Sequence, residues 1–537
     1  MRTAVWLAFS SSFLAGAAGV QAAGCVNVAD DCKLTASCTD YAADGSGGNG
    51  GKASLDPKCL IPPMQAKGGI DTSCGIFAAP GAPGGTGSAS APFSSLQAAI
   101  FAAAKTGKPV YACAKAFTEP IEVPSGVAIY GGLDCDNGWA WTASKRTLVK
   151  PPAWATPPGA SEIGARLQAG EDKTVLSDVD VTAPDAVFAG TSSIALLVED
   201  TEAEITRATF TAGDGKDGKP GKQFDDDPQL DGLPGSLGYG ICVGGATNPA
   251  PEAVVKTCAF QASTGGRGGD GGLPAGATLD GGNGTDGQPQ YTSLPNAGLG
   301  GLGQSASSCQ PGGQGADGDK GTSGEGAVGL GAISSSGYKG VDGADGTDGK
   351  PGQGGGGGGA AKGKTQIQCT GAPTIDRAGA TGGGGGTGGC GGARGSGGKA
   401  GGSSIAVVSL AKKTVSLTEV GLNVGSGGKG GNGGTGQTGG TGGLGASGGP
   451  GANGTSNGCT GGNGGNGGLG GPGGGGQGGH AIGIAYKNIA PKGTPSVTYK
   501  TTTPSPGLGG DAGANSTATN GKGADGTSGA VVQLAGP

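Results

Sequence analysis

The pattern of apolar and polar positions divides the chain beyond residue 24 into three regions of different composition. Residues 25–90 are polar, turn-rich and carry cysteines, whereas residues 91–211 alternate short apolar runs with polar turns, as conventional folded sequence does. From residue 212 to 537, similar apolar segments are separated by long glycine tracts. We take these three ranges as the predicted domains of the mature chain.

Residues 91–211 predict one helix followed by short strands. The helix opens near Pro92, places Leu96, Ile100 and Ala103 on one face, and ends at Gly107. Strands of this kind, without hairpin spacing or further long helices, favour an all-β fold of stacked parallel coils. Apolar runs bounded by turn residues predict the strands at 110–113, 121–123, 127–130, 174–181, 193–198 and 204–210.

The apolar segments also repeat across the glycine tracts. Residues 192–198 are echoed by 403–409, and each is followed by a second strand-like segment and then by a tract. Each unit buries too little apolar surface alone, so neighbouring units must stack. Weaker echoes begin at Leu237, Ala327, Ala481 and Ala530.

Glycine keeps a strict three-residue period inside the tracts. It occupies every third position from 427 to 454, slips by one residue, and resumes from 458 to 479, and another run covers 337–358. A polyproline II-type helix has three residues per turn and no internal hydrogen bonds, so a glycine on every turn lets another backbone approach. We therefore expect polyglycine II rods from one chain, side by side, with a reversal at 455–457.

Two other interpretations of the tracts stay open. A collagen-like trimer also needs glycine at every third position, and 343–351 reads like collagen, but few prolines fall in the triplets. A flexible linker would avoid an ordering cost of about 1–2 kcal/mol per residue. A linker has no reason, however, to keep glycine in phase over many turns.

A family resemblance agrees with the coil prediction. Residues 91–149, with A-I-x-x-A in a helix, E-x-I-x-V and V-x-I-Y-G-G, resemble the opening segment of many right-handed parallel β-helices, a pectate-lyase-like fold. The stretch from Val110 through Cys135 to Trp141 is similar to secreted glycine-rich proteins of myxobacteria, often labelled PGRS-type after a mycobacterial family. The resemblance covers 74–215 in detail. It implies a right-handed parallel β-helix and little about function.

Residues 1–24 predict a signal peptide. Arg2 precedes an apolar stretch followed by small residues, and no other apolar run is long enough to span a bilayer. Cleavage after Ala22 would release an extracellular protein. Residues 22–25, A-A-G-C, resemble a bacterial lipobox, which would make Cys25 the lipidated first residue of an outer-membrane or cell-surface lipoprotein. Both outcomes stay open.

The chain has 13 cysteines, an odd number. Export makes disulfides the default, and setting Cys25 aside leaves an even set without metal-site spacing. Cys113 with Cys135, and Cys242 with Cys258, are the predicted pairs, because each pair encloses two strand-like stretches.

The distribution of charged residues limits the ligands that the protein is expected to bind. With 34 basic and 40 acidic residues and no basic patch, nucleic-acid binding is excluded, and a membrane would be met only through the lipid anchor. The densest acidic cluster predicts either a solvated turn or a weak calcium site, which is the only cofactor candidate. It consists of Asp225, Asp226, Asp227 and Asp231.

Three other features are assigned structural roles. Asp342, Asp345 and Asp348 recur every third residue and would line one edge of a rod as a hydrated rim. The single histidine, His480, has no evident partner for catalysis. The segment 139–141, W-A-W, is expected to pack over the first coil, with a sugar-stacking platform as the alternative.

No catalytic constellation is visible in the sequence. We therefore expect an exported, non-enzymatic structural or adhesive protein of the cell surface or matrix, with a polysaccharide or a protein as partner. One alternative is a carbohydrate-active β-helix enzyme of the lyase or hydrolase kind, which fold alone does not establish. The other is the collagen-like trimer.

Overall fold

A computed structural model describes residues 56–66, 69–155, 161–259, 261–274 and 279–535. One α-helix, α1, spans Leu96–Thr106, and 3-10 turns lie at Pro57–Leu60, Pro63–Gln65 and Pro228–Leu230. The strands are β1 (Ile76–Ala78), β2 (Val110–Cys113), β3 (Ala116–Phe117), β4 (Ile121–Val123), β5 (Ala128–Asp134), β6 (Ala140–Trp141), β7 (Thr147–Val149), β8 (Ser161–Leu167), β9 (Thr174–Ser177), β10 (Val179–Thr182), β11 (Ser192–Val198), β12 (Ala203–Thr211), β13 (Val255–Lys256), β14 (Ser263–Thr264), β15 (Ala332–Ser334), β16 (Gly337–Lys339), β17 (Lys364–Ile367), β18 (Ile375–Arg377), β19 (Ser404–Ser409), β20 (Val415–Val424), β21 (Ala481–Tyr486), β22 (Ser496–Tyr499) and β23 (Ser528–Gln533).

Most of these strands belong to two parallel sheets. The first sheet has the order β1-β2-β5-β9-β12-β10-β7-β3, with β20 beside β12 and β22 beside β20. The second has the order β23-β21-β19-β11-β8-β4. Within these sheets only the short β6 pairs antiparallel, on β5. The fold is all-β with parallel sheets, as the apolar pattern predicts.

Each coil of the chain passes through the second sheet and then through the first. β8 is followed by β9 and β10, β11 by β12, β19 by β20, and β21 by β22. The sequence repeat corresponds to this stacking, because Ile194 of β11 pairs with Ile405 of β19 and Ile205 of β12 pairs with Leu417 of β20. Segments separated by a long glycine excursion therefore become nearest neighbours.

Both faces of the second sheet are covered. Its inner face contributes Leu196 and Val407 to the core between the sheets. Its outer face carries Ile194 and Ile405, which pack under the β15–β16 hairpin. This double burial explains why every residue of β11 is buried, whereas β12 alternates between buried and partly exposed positions.

Helix α1 packs on the first coil and begins four residues after Pro92. The Ser95 side chain accepts a hydrogen bond from the Ala98 amide, and Glu119 accepts one from the Leu96 amide. These two acceptors satisfy amides that lack partners at a helix start. The predicted end is correct, since Gly107 adopts a left-handed φ of 72°.

The glycine-rich chain leaves the first sheet after β12, β20 and β22 and returns to the second sheet at β19, β21 and β23. Between these points it forms extended segments, here called rods, that lie side by side and exchange backbone hydrogen bonds every third residue. The rods cover 213–240, 265–272, 281–288, 298–304, 310–327, 340–363, 378–402, 425–451, 458–479, 505–513 and 521–527.

Rod 340–363 shows how one rod is held by its neighbours. The Gly349 amide donates to the Gly392 carbonyl at 2.9 Å, and the next amide, of Lys350, donates to Asp319 at 2.9 Å. The third amide series of the rod, represented by Gly357, donates to Thr285 at 2.9 Å. The turns between residues 353 and 361 therefore bond to three different rods, which satisfies their buried backbone groups without strands or helices.

Glycine occupies the positions where one rod faces another. A Cβ atom on Gly355 would lie 2.1 Å from the Gly462 carbonyl oxygen, and one on Gly357 would lie 2.0 Å from that of Arg267. Residues 354–359, surrounded by rods, are glycine throughout, whereas the outer rod 213–240 has about one glycine per three-residue turn. The number of glycines per turn therefore follows the number of neighbouring rods.

Two sequence expectations about the tracts meet different outcomes. The echo at 237–243 is not a coil strand, because its glycines pack against rod 425–451: a Cβ on Gly238 would lie 2.5 Å from the Gly449 nitrogen. The chain reverses at 453–457, where Gly454 has a φ of 76°. Rods 425–451 and 458–479 then run antiparallel, with the Gly464 amide 2.8 Å from the Gly443 carbonyl.

Candidate binding surfaces and the predicted site residues

Five disulfides link the ten cysteines that the structure describes. Cys113 bonds to Cys135, one of the two predicted pairs. The predicted Cys242–Cys258 pair is wrong, because these cysteines lie on separate parts of the glycine region and bond to Cys369 and Cys390. The remaining disulfides are Cys59–Cys74 and Cys309–Cys459. Cys25 lies outside the described residues.

The disulfides also bear on the compartment of the protein. Disulfides persist in oxidising environments, such as the cell surface and the extracellular space, and are rare in the cytosol. Three of the five close loops of 127, 132 and 150 residues in the glycine region. The described part of the chain is therefore typical of a protein of an oxidising, extracellular or surface environment.

The acidic cluster of the sequence is not assembled into a calcium site. The Asp227 side chain accepts a hydrogen bond from the Gln229 amide at 2.9 Å and so caps the turn Pro228–Leu230. Asp231 accepts from the amide and the hydroxyl of Thr441, at 2.7 and 2.9 Å. Asp225 and Asp226 directly precede Asp227 and are exposed. Asp227 and Asp231 are thus engaged by the backbone rather than directed at one point.

The period-three aspartates line a solvent-exposed edge of rod 340–363, as expected, and they have a second role that was not expected. Asp342, Asp345 and Asp348 accept hydrogen bonds of 2.8–2.9 Å from the amides of rod 378–402, at Ala400, Gly397 and Arg394. No further rod reaches these amides. The carboxylates therefore replace a missing neighbour and satisfy backbone donors at the edge of the bundle.

Asparagine side chains of rod 458–479 also accept hydrogen bonds from backbone amides that no neighbouring rod reaches. Rod 505–513 accepts from the amides of Gly430 and Gly433 but ends before the distal part of rod 425–451. Beyond that end, Asn466 and Asn463 accept from the amides of Gly442 and Gly445, at 3.0 and 2.9 Å. The edge of the glycine bundle is therefore closed by side-chain oxygens.

His480 lies where rod 458–479 enters strand β21. It is fully buried, and its Nδ1 accepts a 2.8 Å hydrogen bond from the Thr527 amide, so Nε2 carries the proton and donates to the Leu330 carbonyl. Burial lowers the pKa of the imidazole. The residue has the structural role that was expected, and it supplies two hydrogen bonds that the sequence did not reveal.

Trp139 and Trp141 pack on the first coils rather than forming an exposed platform. Trp139 is 6% exposed and contacts Phe77 edge to face, with ring centroids 4.7 Å apart. The Trp141 indole donates to Asp178, which is buried and also bound by Arg207 at 2.8 Å. The tryptophans therefore stabilise the coils, as expected of scarce aromatic residues.

A groove of about 370 Å³ lies at the corner where the rods leave the first sheet. Its wall contains Thr211, Asn423 and Thr498, which lie in register on β12, β20 and β22. Lys500 pairs with Asp214 at one end, and the hydrogen bond between them raises the pKa of the lysine. Asp185 also lines the groove, so two carboxylates and one ammonium group lie beside these hydroxyl and amide groups.

A second surface, missed by the sequence reasoning, lies on the distal half of rods 213–240 and 425–451. Leu237 and Leu444 are 69% and 68% exposed, and Leu233 and Tyr239 are exposed beside them. The signal in the sequence is a set of large apolar residues inside glycine triplets, L-P-G-S-L-G-Y-G and G-G-L-G. Triplet side chains that face solvent do not need to be apolar for the rods to pack.

Among the described residues, no group of three or more His, Cys, Asp or Glu side chains is placed to hold a metal ion. No helix in the same part of the chain is both long and apolar enough to cross a bilayer. No protein-family model, curated protein or solved structure matches this chain.

Proposed function

We propose that this chain is an exported, non-enzymatic structural or adhesive protein of the cell surface or matrix. In this proposal the parallel coils are a right-handed parallel β-helix, the rods are polyglycine II helices, and the whole resembles the PGRS-type secreted proteins of myxobacteria. The β-helix is the base and the glycine bundle is the surface that meets a polysaccharide or a protein. Lipidation of Cys25 would hold the protein on the outer membrane, and cleavage after Ala22 would release it.

One observation supports the proposal above all others. The rods are bonded to one another in three directions, and three disulfides tie the same bundle together. Such a bundle is a stiff, extended support, because its backbone bonds and disulfides leave little freedom to move. A stiff support that presents periodic side chains suits attachment better than turnover, which requires converging reactive groups.

Attachment is tested with the purified mature protein carrying a fluorescent label. We expect saturable binding to washed cells or isolated envelope of the source organism, and loss of cell attachment to a substratum when the gene is deleted. Absence of both effects would contradict the adhesive role. Recovery of the native protein in the envelope fraction, rather than in the medium, separates the lipidated form from the secreted form.

The two rival functions have direct tests. Polysaccharide cleavage that disappears when Asp225, Asp226 and Asp227 are changed to asparagine would establish the enzyme. A sedimentation mass of three chains would establish the collagen-like trimer. We expect no turnover and a single-chain mass, because the glycine triplets already find their partners within one chain.

A further inference from the structure

At the end of the coils that carries α1, the chain itself covers the edge strands β4 and β1. The Gln97 side chain lies along β4, where its Nε2 donates to the Glu122 carbonyl at 3.0 Å and its Oε1 accepts from the Glu122 amide at 2.7 Å. Beside β1, the Phe77 amide donates to Gly87 and the Phe77 carbonyl accepts from Phe93, each at 2.9 Å. The outward backbone groups of these two strands are therefore paired.

At the opposite end, β23 is an edge strand without such a cover. It pairs with β21 on one side, and no described strand or rod bonds to its other side along 528–533. Amide and carbonyl groups on that side are a template for another strand. The sequence of β23, S-G-A-V-V-Q, contains neither charge nor proline, which are the residues that usually protect an edge.

The apolar core is also open at this end. One column of core positions continues in register through the second sheet, namely Leu196, Val407, Ile484 and Val531. The first three side chains are buried, whereas Val531 is 49% exposed. In the first sheet, Val497 of β22 follows Leu422 in the same way and is only partly buried. A further coil would cover both valines.

A second copy of this chain fits the open end. The occupant must supply an extended strand for β23 and apolar side chains for Val497 and Val531, and the same end of another copy supplies both. Because the two sheets face each other across the core, one two-fold axis perpendicular to both would set β23 antiparallel to its copy and β22 opposite its copy. Residues opposite each other in an antiparallel pair share a face, so Val531 would stay on the core side.

We propose that β23, with Val497 and Val531, pairs with the same surface of a second copy and joins two molecules end to end. Because β23 has no charged residue, its pairing with itself brings no like charges together. The covered strands β4 and β1 at the opposite end limit the assembly to two copies. The proposal goes beyond the proposed function, since the pairing needs no polysaccharide or other protein.

Sedimentation of the full mature protein over a concentration series measures the pairing. A contact of one strand pair buries little area, so we expect single chains at about 1 µM and a two-chain mass at about 100 µM. Val531→Asp places a charge in the apolar contact and should raise the dissociation constant by about tenfold or more. Because Val531 is half exposed, the fold should survive, and circular dichroism checks this.

Val255→Asp is the matched control. Val255 is 53% exposed and lies in β13, which pairs with β14 and belongs to neither parallel sheet. The dissociation constant of this variant should equal that of the unchanged protein.

Amide hydrogen exchange gives a second measurement that needs no variant. The amides of 528–533 should exchange more slowly at about 100 µM than at about 1 µM, because pairing protects an edge strand. Those of the central strand β11 should exchange at the same rate at both concentrations.

The other outcomes would overturn the proposal. A single-chain mass throughout the series excludes the pairing. A two-chain mass that Val531→Asp leaves intact, or that Val255→Asp weakens as much, places the contact elsewhere, as does a two-chain mass without added protection at 528–533. Masses that grow beyond two chains with concentration would mean that the opposite end also takes part, which contradicts the two-fold arrangement.

Discussion

At the residue scale, the chain uses glycine and short polar residues for two complementary tasks. Glycine stands where a Cβ would collide with another backbone, as at Gly382, where it would lie 1.8 Å from the Gly358 oxygen. Aspartate, asparagine and threonine stand where a neighbouring amide has no rod to bond to, as Asp345 does for Gly397. The residue type at each position of a rod therefore indicates whether that position faces the backbone of another rod or the solvent.

Asp345 offers a test of this second task. Asp345→Ala should leave the Gly397 amide without an acceptor and reduce local stability by about 1 kcal/mol, whereas Asp345→Asn keeps an oxygen in place. Both variants remove the long ion pair with Arg394 equally. Amide exchange at Gly397 should therefore accelerate in the alanine variant and change little in the asparagine variant. Equal acceleration in the two variants would mean that charge, not capping, matters.

His480 predicts a pH dependence with a defined sign. Burial lowers its pKa in the folded chain, so its contribution to stability is complete above the unfolded pKa of about 6.5 and is lost as the pH falls toward the folded value. His480→Gln retains an acceptor and a donor but does not titrate. Between pH 7 and pH 5 the melting temperature of the unchanged protein should fall more than that of the variant. Parallel decreases in the two proteins would contradict this.

At the element scale, strands and rods obey different packing rules. A strand buries alternate side chains, so β12 shows a period of two. A rod has three directions per turn, so its glycine content rises with the number of rods around it. Rod 458–479 is glycine throughout at 473–476, where rods 505–513 and 521–527 join its other neighbours.

Substitution of an inner glycine should disrupt the bundle. Gly355→Ala places a methyl group 2.1 Å from the Gly462 oxygen, so two rods must separate, and we expect a loss of about 3 kcal/mol or more in the free energy of unfolding. Gly245→Ala is the matched control, since a Cβ there meets no atom within 4 Å. Its stability should stay within about 0.5 kcal/mol of the unchanged protein. Urea unfolding measures both, and similar losses would contradict the packing rule.

At the scale of the whole molecule, the coils and the bundle depend on each other. The β12, β20 and β22 strands stack in one sheet, and the rods that follow them lie beside one another in the same order. Gly215 of one rod accordingly donates to Ser426 of the next at 2.8 Å. Each of the three long-range disulfides closes a loop whose entropy in the unfolded chain is worth about 4–5 kcal/mol in the loop-closure model.

The cysteine count yields a prediction for the mature protein. Ten of the 13 cysteines are bonded in the described region, which leaves Cys25, Cys32 and Cys38. If Cys25 is lipidated, the other two are free to pair. Intact-mass analysis before and after reduction should then show six disulfides, a deficit of twelve hydrogens, together with a diacylglycerol-modified Cys25. An unlipidated chain that begins at Ala23 would contradict lipidation and leave an unpaired thiol.

The sequence by itself determined the local features, because each depends on a short period along the chain. The strands near 110–113, 121–123, 193–198 and 204–210, the end of α1 at Gly107, the stacking of 192–198 with 403–409, and the reversal near 455–457 follow from periods of two or three and from turn residues. The sequence analysis missed β8, and it predicted one strand at 174–181 where Asp178, with a φ of 58°, separates β9 from β10. The Cys113–Cys135 pair also lies within one short stretch. Handedness, export and ligand remain predictions.

Only the tertiary structure decided which distant segments meet. It set the partners of Cys242 and Cys258, gave Asp231 and Asp345 amides to bind, and left Leu237 and Leu444 in solvent. A three-residue period specifies that some neighbour must approach each glycine, but every rod has the same period. Which rods become neighbours therefore depends on the stacking order of the strands from which the rods emerge. No local sequence pattern specifies that order.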